Sequence, residues 1–162
     1  MNAAAALEGA FVPDWPAHPR VGALMSTRLG GVGVPPFDTL NLGRAVGDAA
    51  AAVEQNRRRF VDALGGARPV WLSQVHGAAV VRLHAGGEQG NPAADAAVTT
   101  EPGIACVVSV ADCLPLLLAA PAGRGVGAVH AGWRGLAAGV VEAAARGLAE
   151  AAGCATEDLI AW

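Results

Sequence analysis

The sequence contains no lysine, because all eleven of its basic residues are arginine. This excludes enzymes that form a Schiff base through lysine and P-loop proteins that hold phosphate with one. The formal charge of -3, the pI near 5.7 and the lack of a dense basic segment provide no electrostatic surface for nucleic acid or an anionic membrane. Small molecules are therefore the expected partners, and neither nucleic acid nor a membrane is expected to bind.

We also expect neither a signal peptide nor disulfides. The first residues carry no basic segment ahead of an apolar one, and the three cysteines are odd in number and widely spaced. We therefore expect a reduced, cytoplasmic protein whose cysteines serve a metal site or catalysis rather than disulfides. The longest apolar run, 104–120, is interrupted by Asp112 and Pro115 and is shorter than the ~20 residues that a membrane span requires.

A chain of 162 residues is long enough for one domain with a sizeable core. We expect an irregular N-terminal segment over 1–20 and a single domain over 21–162. Gly, Pro and the hydrophobic spacing predict the elements between them. These are strands over 21–27, 70–76, 79–83, 95–99, 104–110, 114–119 and 125–130, helices over 49–64 and 134–152, and a loop over 85–94.

Details of these elements can also be predicted. Asp48 is expected to cap the first helix, and the run Arg57, Arg58, Arg59 to form its solvated face. A Gly-rich turn over 121–125 predicts a hairpin of the last two strands, Gly153 is expected to follow the second helix, and Thr156 to cap a final turn. Core-facing stripes are expected at Val53, Phe60, Val61 and Leu64 in the first helix and at Leu136, Val140, Val141, Ala144 and Leu148 in the second.

Three residues that could bind a metal stand at the ends of predicted apolar strands: His76, Cys113 and His130. One Cys and two His match a catalytic zinc site, in which three protein ligands leave a fourth position open. The spacing alone decides little, because 37 and 17 residues separate the three positions. A buried Cys with hydrogen-bonded His residues, and a Cys113/His130 pair of nucleophile and base, remain alternatives.

Neighbouring residues add to this candidate site. Asp112 could orient a His or act as an acid or base, or could simply bind backbone amides at a strand end. The segment 132–135 opens the second predicted helix, where free amides and Arg134 could hold phosphate, or where Trp133 could pack inside a structural turn. We expect Cys106 and Cys154 to be structural thiols, and His18 and His84 to lie on the surface.

The sequence resembles one known family, the laccase-domain or polyphenol oxidase family, whose members are also described as YfiH-like purine nucleoside phosphorylases and, in bacteria, as a peptidoglycan editing factor. The resemblance runs in order from about residue 21 to the end. It rests on the segments 26–28 (STR), 41–43 (NLG), 46–48 (VGD), 56–57 (NR), 71–77 (WLSQVHG), 95–99 (DAAVT), 111–115 (ADCLP) and 130–135 (HAGWRG).

The resemblance implies an α/β fold of the YfiH type, a mixed sheet with flanking helices. It implies a zinc site at His76, Cys113 and His130, and phosphorolysis of adenosine, inosine and guanosine, with adenosine deamination as an accompanying activity. Asp112 is the candidate for moving protons. Residues expected to bind nucleoside or phosphate are Ser26, Arg28, Asn41, Arg44, Gln74 and Arg134.

Oxidation of phenols with copper has also been described for this family. Multicopper chemistry requires many His ligands, and only His18 and His84 remain beyond the two at the expected site. Zinc is therefore expected, with copper as the lesser possibility. Any deaminase mechanism must be a separate solution, since the His-x-Glu and Pro-Cys-x-x-Cys signature of nucleobase deaminases is absent.

Two further hypotheses remain: a Cys/His hydrolase that edits a peptidoglycan precursor, and an inactive remnant that keeps the metal motif. Family members continue beyond the position of Trp162 into a segment that contributes to the pocket. We therefore expect the chain to lack the C-terminal part of the domain, which would leave a sheet edge unpaired and the pocket open.

Overall fold

The computed structural model describes residues 7–86 and 90–162. Residues 1–6 of the expected N-terminal segment and 87–89 of the expected loop lie outside the described residues. The chain divides into two compact units. Unit 1 contains the N-terminal residues up to Pro13 and the segment Ala23–Arg68, and unit 2 contains Asp14–Gly22 and Pro69–Trp162.

Unit 1 is built on one helix, α1, over Ala50–Asp62, which confirms the first predicted helix. Its buried face carries Val53, Asn56, Arg57 and Phe60, which follow the three- and four-residue spacing of one helix face. Val61 is 36% exposed, so its expected place in the core stripe is wrong. The buried face of α1 is thus partly polar.

Two expectations about the polar residues of α1 are also wrong. The N-cap is Ala49, since Asp48 accepts a hydrogen bond from the adjacent Ala49 amide and not from an amide inside the helix. Arg57 is buried rather than solvated, because its guanidinium donates to the Leu42 carbonyl at 2.8 Å. Arg58 and Arg59 are exposed, as expected.

The strand expected over 21–27 does not form. Met25 makes one antiparallel bridge with Phe11, through two backbone hydrogen bonds of 2.9 Å. Pro13 follows Phe11 by two residues and has no N–H to donate, so the ladder cannot extend in that direction. The segment is therefore a bridged loop.

Unit 2 contains a mixed five-stranded sheet flanked by helices, as expected for the α/β class. The strands within the described residues are β1 Arg68–Val70, β2 Val80–Arg82, β3 Ala96–Thr99, β4 Ile104–Cys106, β5 Leu114–Ala119, β6 Val126–Ala131 and β7 Ile160–Ala161. The large sheet has the order β2-β3-β6-β5-β7, in which only β2 and β3 are parallel. β1 and β4 pair separately.

The predicted hairpin of β5 and β6 is confirmed, with a turn over Pro121–Gly123. Leu114 pairs with Ala131, and Pro115 pairs with His130. This register places Cys113, the residue before β5, beside the end of β6. The hairpin therefore brings two of the three expected metal ligands together.

The helix expected over 134–152 is two helices, α2 over Trp133–Ala137 and α3 over Val140–Ala152. Gly139 separates them with φ at 82°, a left-handed conformation that glycine adopts without steric cost. Leu136 is 44% exposed, which corrects its expected place in the core. Gly153 ends α3 as expected, and a 3-10 turn over Thr156–Asp158 follows, although Ala155 rather than Thr156 is its N-cap.

The core of unit 2 lies on both faces of β3. On one face, Ala96 and Val98 pack in a cluster with Val140, Ala144 and Leu148 of α3. On the other face, Ala97 packs with Val70, Leu83 and Ile104. Burial on both faces explains why three of the four residues of this strand are apolar.

The strand expected over 70–76 is wrong beyond its first residue, because β1 covers Arg68–Val70 and ends there. Two other predicted strands are shorter than expected, since β2 covers only Val80–Arg82 and β4 ends at Cys106. The residues beyond β1 and β4 form loops in which the Gln74 side chain accepts from the Ser109 amide and donates to its carbonyl, both at 2.8 Å. The Gln74 side chain thus connects the two loops where hydrogen bonds between strands were expected. Within the described ranges, no helix has the length and apolar character to cross a membrane.

Candidate metal centre

His76, Cys113 and His130 converge in unit 2 from three separate segments. His76 lies in the loop between β1 and β2, Cys113 precedes β5, and His130 lies near the end of β6. One potential ligand atom from each residue lies within 4.8 Å of those from the other two. The two imidazole rings meet edge to face, with centroids 4.7 Å apart and an interplanar angle of 80°.

His130 is held by a buried carboxylate, that of Asp95. Its Nδ1 lies 2.8 Å from Asp95 Oδ1, and its backbone N–H donates to the Asp95 carbonyl at 2.7 Å. His130 is 3% exposed and Asp95 is 0% exposed. A neutral imidazole that donates from Nδ1 keeps its lone pair on Nε2, which is then the nitrogen available to a metal.

His76 is the exposed member of the group and lies in a left-handed turn with φ at 59°. The amides of Val75, His76 and Gly77 all donate to the Asp95 carboxylate. Burial alone would raise the pKa of Asp95, but the hydrogen bonds from His130 and these three amides outweigh it, so the pKa is lowered.

The Cys113 sulfur lies against Gly132. A Cβ at position 132 would lie 2.8 Å from Cys113 Sγ and 3.3 Å from His76 Cδ2. Any side chain at this position would occupy the space between two of the three residues. Gly132 therefore keeps the centre of the group open.

The donor set suits a transition metal. Two imidazoles and one thiolate are ligands that zinc uses at catalytic sites, with further positions left for water or substrate. One potential ligand atom of each residue already lies within 4.8 Å of the other two, so His76, Cys113 and His130 would together hold the ion. Together with the space that Gly132 leaves, the residues fit a single bound metal ion.

Comparison with known proteins assigns the family. The profile of the multi-copper polyphenol oxidoreductase laccase family matches residues 22–162. The chain belongs to this laccase family. The resemblance expected from the sequence motifs is therefore confirmed.

The relatives of this laccase-family chain include proteins named as purine nucleoside phosphorylases. One from Pseudomonas aeruginosa, purine nucleoside phosphorylase PA4543, is 48% identical over 156 residues, which cover 94% of this chain and 60% of the relative. Another, purine nucleoside phosphorylase YfiH of Escherichia coli, is 46% identical over 154 residues, which cover 94% of this chain and 61% of the relative. The chain thus spans about 60% of the length of these curated relatives.

Solved structures of the laccase family have the same fold. The Neisseria meningitidis protein NMB0706 superposes with a TM-score of 0.87 at 38% identity, covering 95% of this chain and 61% of the other. A Bacillus licheniformis protein described as hypothetical protein YfiH gives 0.81 at 26% identity, covering 93% of this chain and 62% of the other. The expected YfiH-type fold is confirmed.

Asp95, His130 and Cys113 also resemble a catalytic triad, in which they would be the carboxylate, the base and the thiol nucleophile. Such a nucleophile requires a lowered pKa. Here burial raises the pKa of Cys113, and the Asp112 carboxylate, 3.7 Å from the sulfur, raises it further. A nearby metal cation would stabilise the thiolate instead, so this environment favours a metal ligand over a free nucleophile.

The remaining expected site residues of unit 2 differ in whether their side chains are exposed or already hydrogen-bonded within the protein. Asp112 is exposed beside Cys113, which is compatible with its expected role in proton transfer. Gln74 uses both amide atoms on Ser109, so it positions a loop. The exposed Arg134 guanidinium lies 5.1 Å from the ring centroid of Trp133, which is 74% exposed and not packed inside.

Four expected substrate-binding residues belong to unit 1. Arg28 pairs with Asp38 at 3.1 Å, and Arg44 pairs with Glu54 at 3.0 Å. Asn41 donates to Asp48 at 2.9 Å and accepts from the Gly43 amide at 2.9 Å. Ser26 is half-buried beside Met25. The side chains of Arg28, Arg44 and Asn41 thus have partners within their own unit.

The other expectations about Cys and His are met. His18 and His84 are exposed, and His84 pairs with Glu101 at 3.0 Å. The three cysteines are free thiols, and neither Cys106 nor Cys154 joins the group of three. Sequence analysis gave no role to Asp95, although this carboxylate opens the segment 95–99 on which the family resemblance rests and directly precedes an apolar strand.

Proposed function

We propose that the protein acts as a zinc-dependent purine nucleoside phosphorylase. It would cleave adenosine, inosine or guanosine with phosphate to give the free base and ribose 1-phosphate, with adenosine deamination as a possible second reaction. The observation that carries this proposal is the convergence of His76, Cys113 and His130 around Gly132. The names of its relatives supply the reaction class.

Zinc is proposed rather than copper because of the donor set. All four histidines of the sequence lie within the described ranges, and only two of them join the group of three. Multinuclear copper centres need more imidazole ligands than this. When bound, zinc supplies Lewis-acid chemistry, which lowers the pKa of water and polarises oxygen atoms.

Arg134 is proposed as the phosphate contact. Arg134 lies in α2, two residues after Gly132. No carboxylate in the described part of the chain forms an ion pair with it. Arg28 and Arg44, by contrast, are already paired with carboxylates. A free guanidinium can bind phosphate through two parallel hydrogen bonds. Asp112, exposed beside the centre, is proposed to move protons during reaction of the base.

The proposed reaction is tested by incubating zinc-loaded protein with inosine and phosphate. We expect hypoxanthine and ribose 1-phosphate in equal amounts, both resolved by chromatography, and no cleavage when chloride replaces phosphate. Adenosine in the same assay distinguishes phosphorolysis, which gives adenine, from deamination, which gives inosine. A folded, zinc-bound sample that releases no base from any of the three nucleosides would rule out the proposal.

Replacing Arg134 by alanine is expected to raise the KM for phosphate about 10- to 100-fold, since a hydrogen bond between charged groups contributes roughly 1.5–3 kcal/mol. The KM for inosine should change much less. Arg146→Ala is the matched control, because Arg146 is an exposed arginine of α3 that the proposal does not use. Equal effects of the two substitutions would show that Arg134 contributes only general positive charge.

A further inference from the structure

Asp95 is a fully buried carboxylate with every acceptor position engaged. Oδ1 accepts from His130 Nδ1 at 2.8 Å and from the His76 amide at 2.9 Å. Oδ2 accepts from the Gly77 amide at 2.7 Å and from the Val75 amide at 3.2 Å. A carboxylate with two oxygens can accept about four hydrogen bonds, so Asp95 has no capacity left for another group.

These bonds reach two different histidines by two different routes. The bond to His130 acts on the imidazole ring itself, where it fixes both the orientation of the ring and the nitrogen that carries hydrogen. The bonds to 75–77 act on the backbone, where three consecutive amides point to one anion. They hold the left-handed turn at His76, a conformation that is unfavourable for a residue other than glycine.

The position of Asp95 in the fold makes this arrangement rigid. Asp95 immediately precedes β3, the strand that is buried on both faces, and its backbone carbonyl also accepts from the His130 amide. Its own amide donates to the Ala79 carbonyl at 3.0 Å. The carboxylate is therefore fixed to the same β3–β6 ladder that carries His130.

We propose that Asp95 is a positioning residue that prepares both histidines for the metal ion, His130 through its ring and His76 through its backbone. The inference rests on the metal centre of the proposed function but not on the reaction that the centre catalyses. It predicts that loss of the carboxylate weakens both ligands at once. A carboxylate that only contributed to folding would leave the ligands of the folded protein unchanged.

The test is zinc affinity, measured by competition with a chromophoric chelator, for the unaltered chain and for Asp95→Asn. Asparagine preserves the size of the side chain, but its NH2 group is a hydrogen-bond donor where the carboxylate was an acceptor. The backbone N–H groups of 75–77 are donors too, so they could not bond to it. We expect the Kd for zinc to rise about 10- to 100-fold, as is typical when a hydrogen-bond partner of a ligand is changed. The ligand-field spectrum of the cobalt-substituted protein should change as well, because it reports coordination geometry.

The matched control is Thr99→Val, at the last residue of β3. Thr99 is also buried, and its hydroxyl donates to the Leu83 carbonyl at 3.0 Å without contacting either histidine. It should lower stability while leaving zinc affinity and the cobalt spectrum unchanged. If both variants lost affinity in proportion to their loss of stability, the effect of Asp95 would be a folding effect.

The two routes are separated by repeating Asp95→Asn in backgrounds that lack one histidine. In His130→Ala the substitution should still weaken zinc binding, through the turn at His76, and in His76→Ala it should do so through the ring of His130. No further loss in either background would reduce the role of Asp95 to a single ligand and overturn the inference of two.

A second measurement needs no variant. In the metal-free protein, at a pH where the imidazole is neutral, nitrogen NMR of His130 should show hydrogen on Nδ1. Hydrogen on Nε2 would overturn the inference even if Asp95→Asn failed to fold. If Asp95→Asn bound zinc with wild-type affinity, only the inference about Asp95 would be overturned. If the unaltered chain did not bind zinc, the metal centre of the proposed function would be overturned as well.

Discussion

Replacing Cys113 by alanine is expected to lower zinc affinity about 100- to 1000-fold. Structural zinc sites with four protein ligands bind with roughly 10–16 kcal/mol, so one ligand accounts for roughly 2.5–4 kcal/mol. Cys113 should lie at or above this average, because it is the one ligand of the three that becomes anionic. Competition with a chromophoric chelator measures the loss.

Cys154→Ala is the matched control for Cys113→Ala. Cys154 is also a partly buried free thiol, but it lies just after the end of α3 and outside the group of three. Cys106 also lies outside the group of three, in β4, and burial raises the pKa of its thiol to about 12. Unchanged affinity in Cys113→Ala would show that the sulfur is not a ligand, and an equal loss in Cys154→Ala would show that thiol removal acts through the fold.

The hairpin that carries Cys113 and His130 could be predicted from the sequence, because its signals are local. Two apolar runs of strand length flank a turn rich in glycine, and antiparallel pairing then follows from the short connection. The strand over 114–119 agrees with β5, and that over 125–130 agrees with β6 to within one residue. Local chemistry thus predicted the framework of the site.

Asp95 could not be assigned in the same way. Its partners lie 18–20 residues earlier, at 75–77, and 35 residues later, at His130. Three of its four donors are backbone amides, which leave no trace in the identity of a side chain. Only the folded turn at His76 reveals that a carboxylate is needed there.

The error at Arg57 had a different cause. A run of three arginines resembles a solvated helix face, but each helical residue is rotated by about 100° from the one before, so three consecutive side chains cannot share a face. Arg57 follows Val53 by four residues and therefore lies on the buried side, where the Leu42 carbonyl accepts its hydrogen bond. The spacing from Val53 was the better guide than the charge.

Asn56, the neighbour of Arg57, leads to the largest expected effect on stability. Its side chain is 0% exposed and makes three hydrogen bonds to the backbone of the 32–41 loop. Oδ1 accepts from the Val32 amide at 2.9 Å, and Nδ2 donates to the carbonyls of Thr39 and Asn41, each at 3.0 Å. This one amide group therefore bonds three backbone groups of a loop that contains no strand.

Replacing Asn56 by alanine is expected to lower the free energy of unfolding by roughly 2–5 kcal/mol, since a buried polar group left without a partner costs about 1–3 kcal/mol. Two such groups would be left, the Val32 amide and the Asn41 carbonyl, whereas the Thr39 carbonyl still accepts from the Gly33 amide at 2.8 Å. Urea titration measures the loss of stability, and hydrogen exchange of the backbone amides then locates it. Exchange should become faster at the α1 amides and fastest at the Val32 amide. Gln55→Ala is the control, because Gln55 is exposed on the same helix and its replacement should change stability by less than about 0.5 kcal/mol.

Asn56→Asp distinguishes hydrogen bonding from packing at this position. Aspartate has nearly the same shape and still accepts from the Val32 amide, but it presents an oxygen to the carbonyls of Thr39 and Asn41, which also carry negative partial charge. If the hydrogen bonds stabilise the loop, Asn56→Asp should be at least as destabilising as Asn56→Ala. If Asn56 contributed packing alone, Asn56→Asp would retain most of the stability that Asn56→Ala loses. That result would show that the three hydrogen bonds do not stabilise the loop.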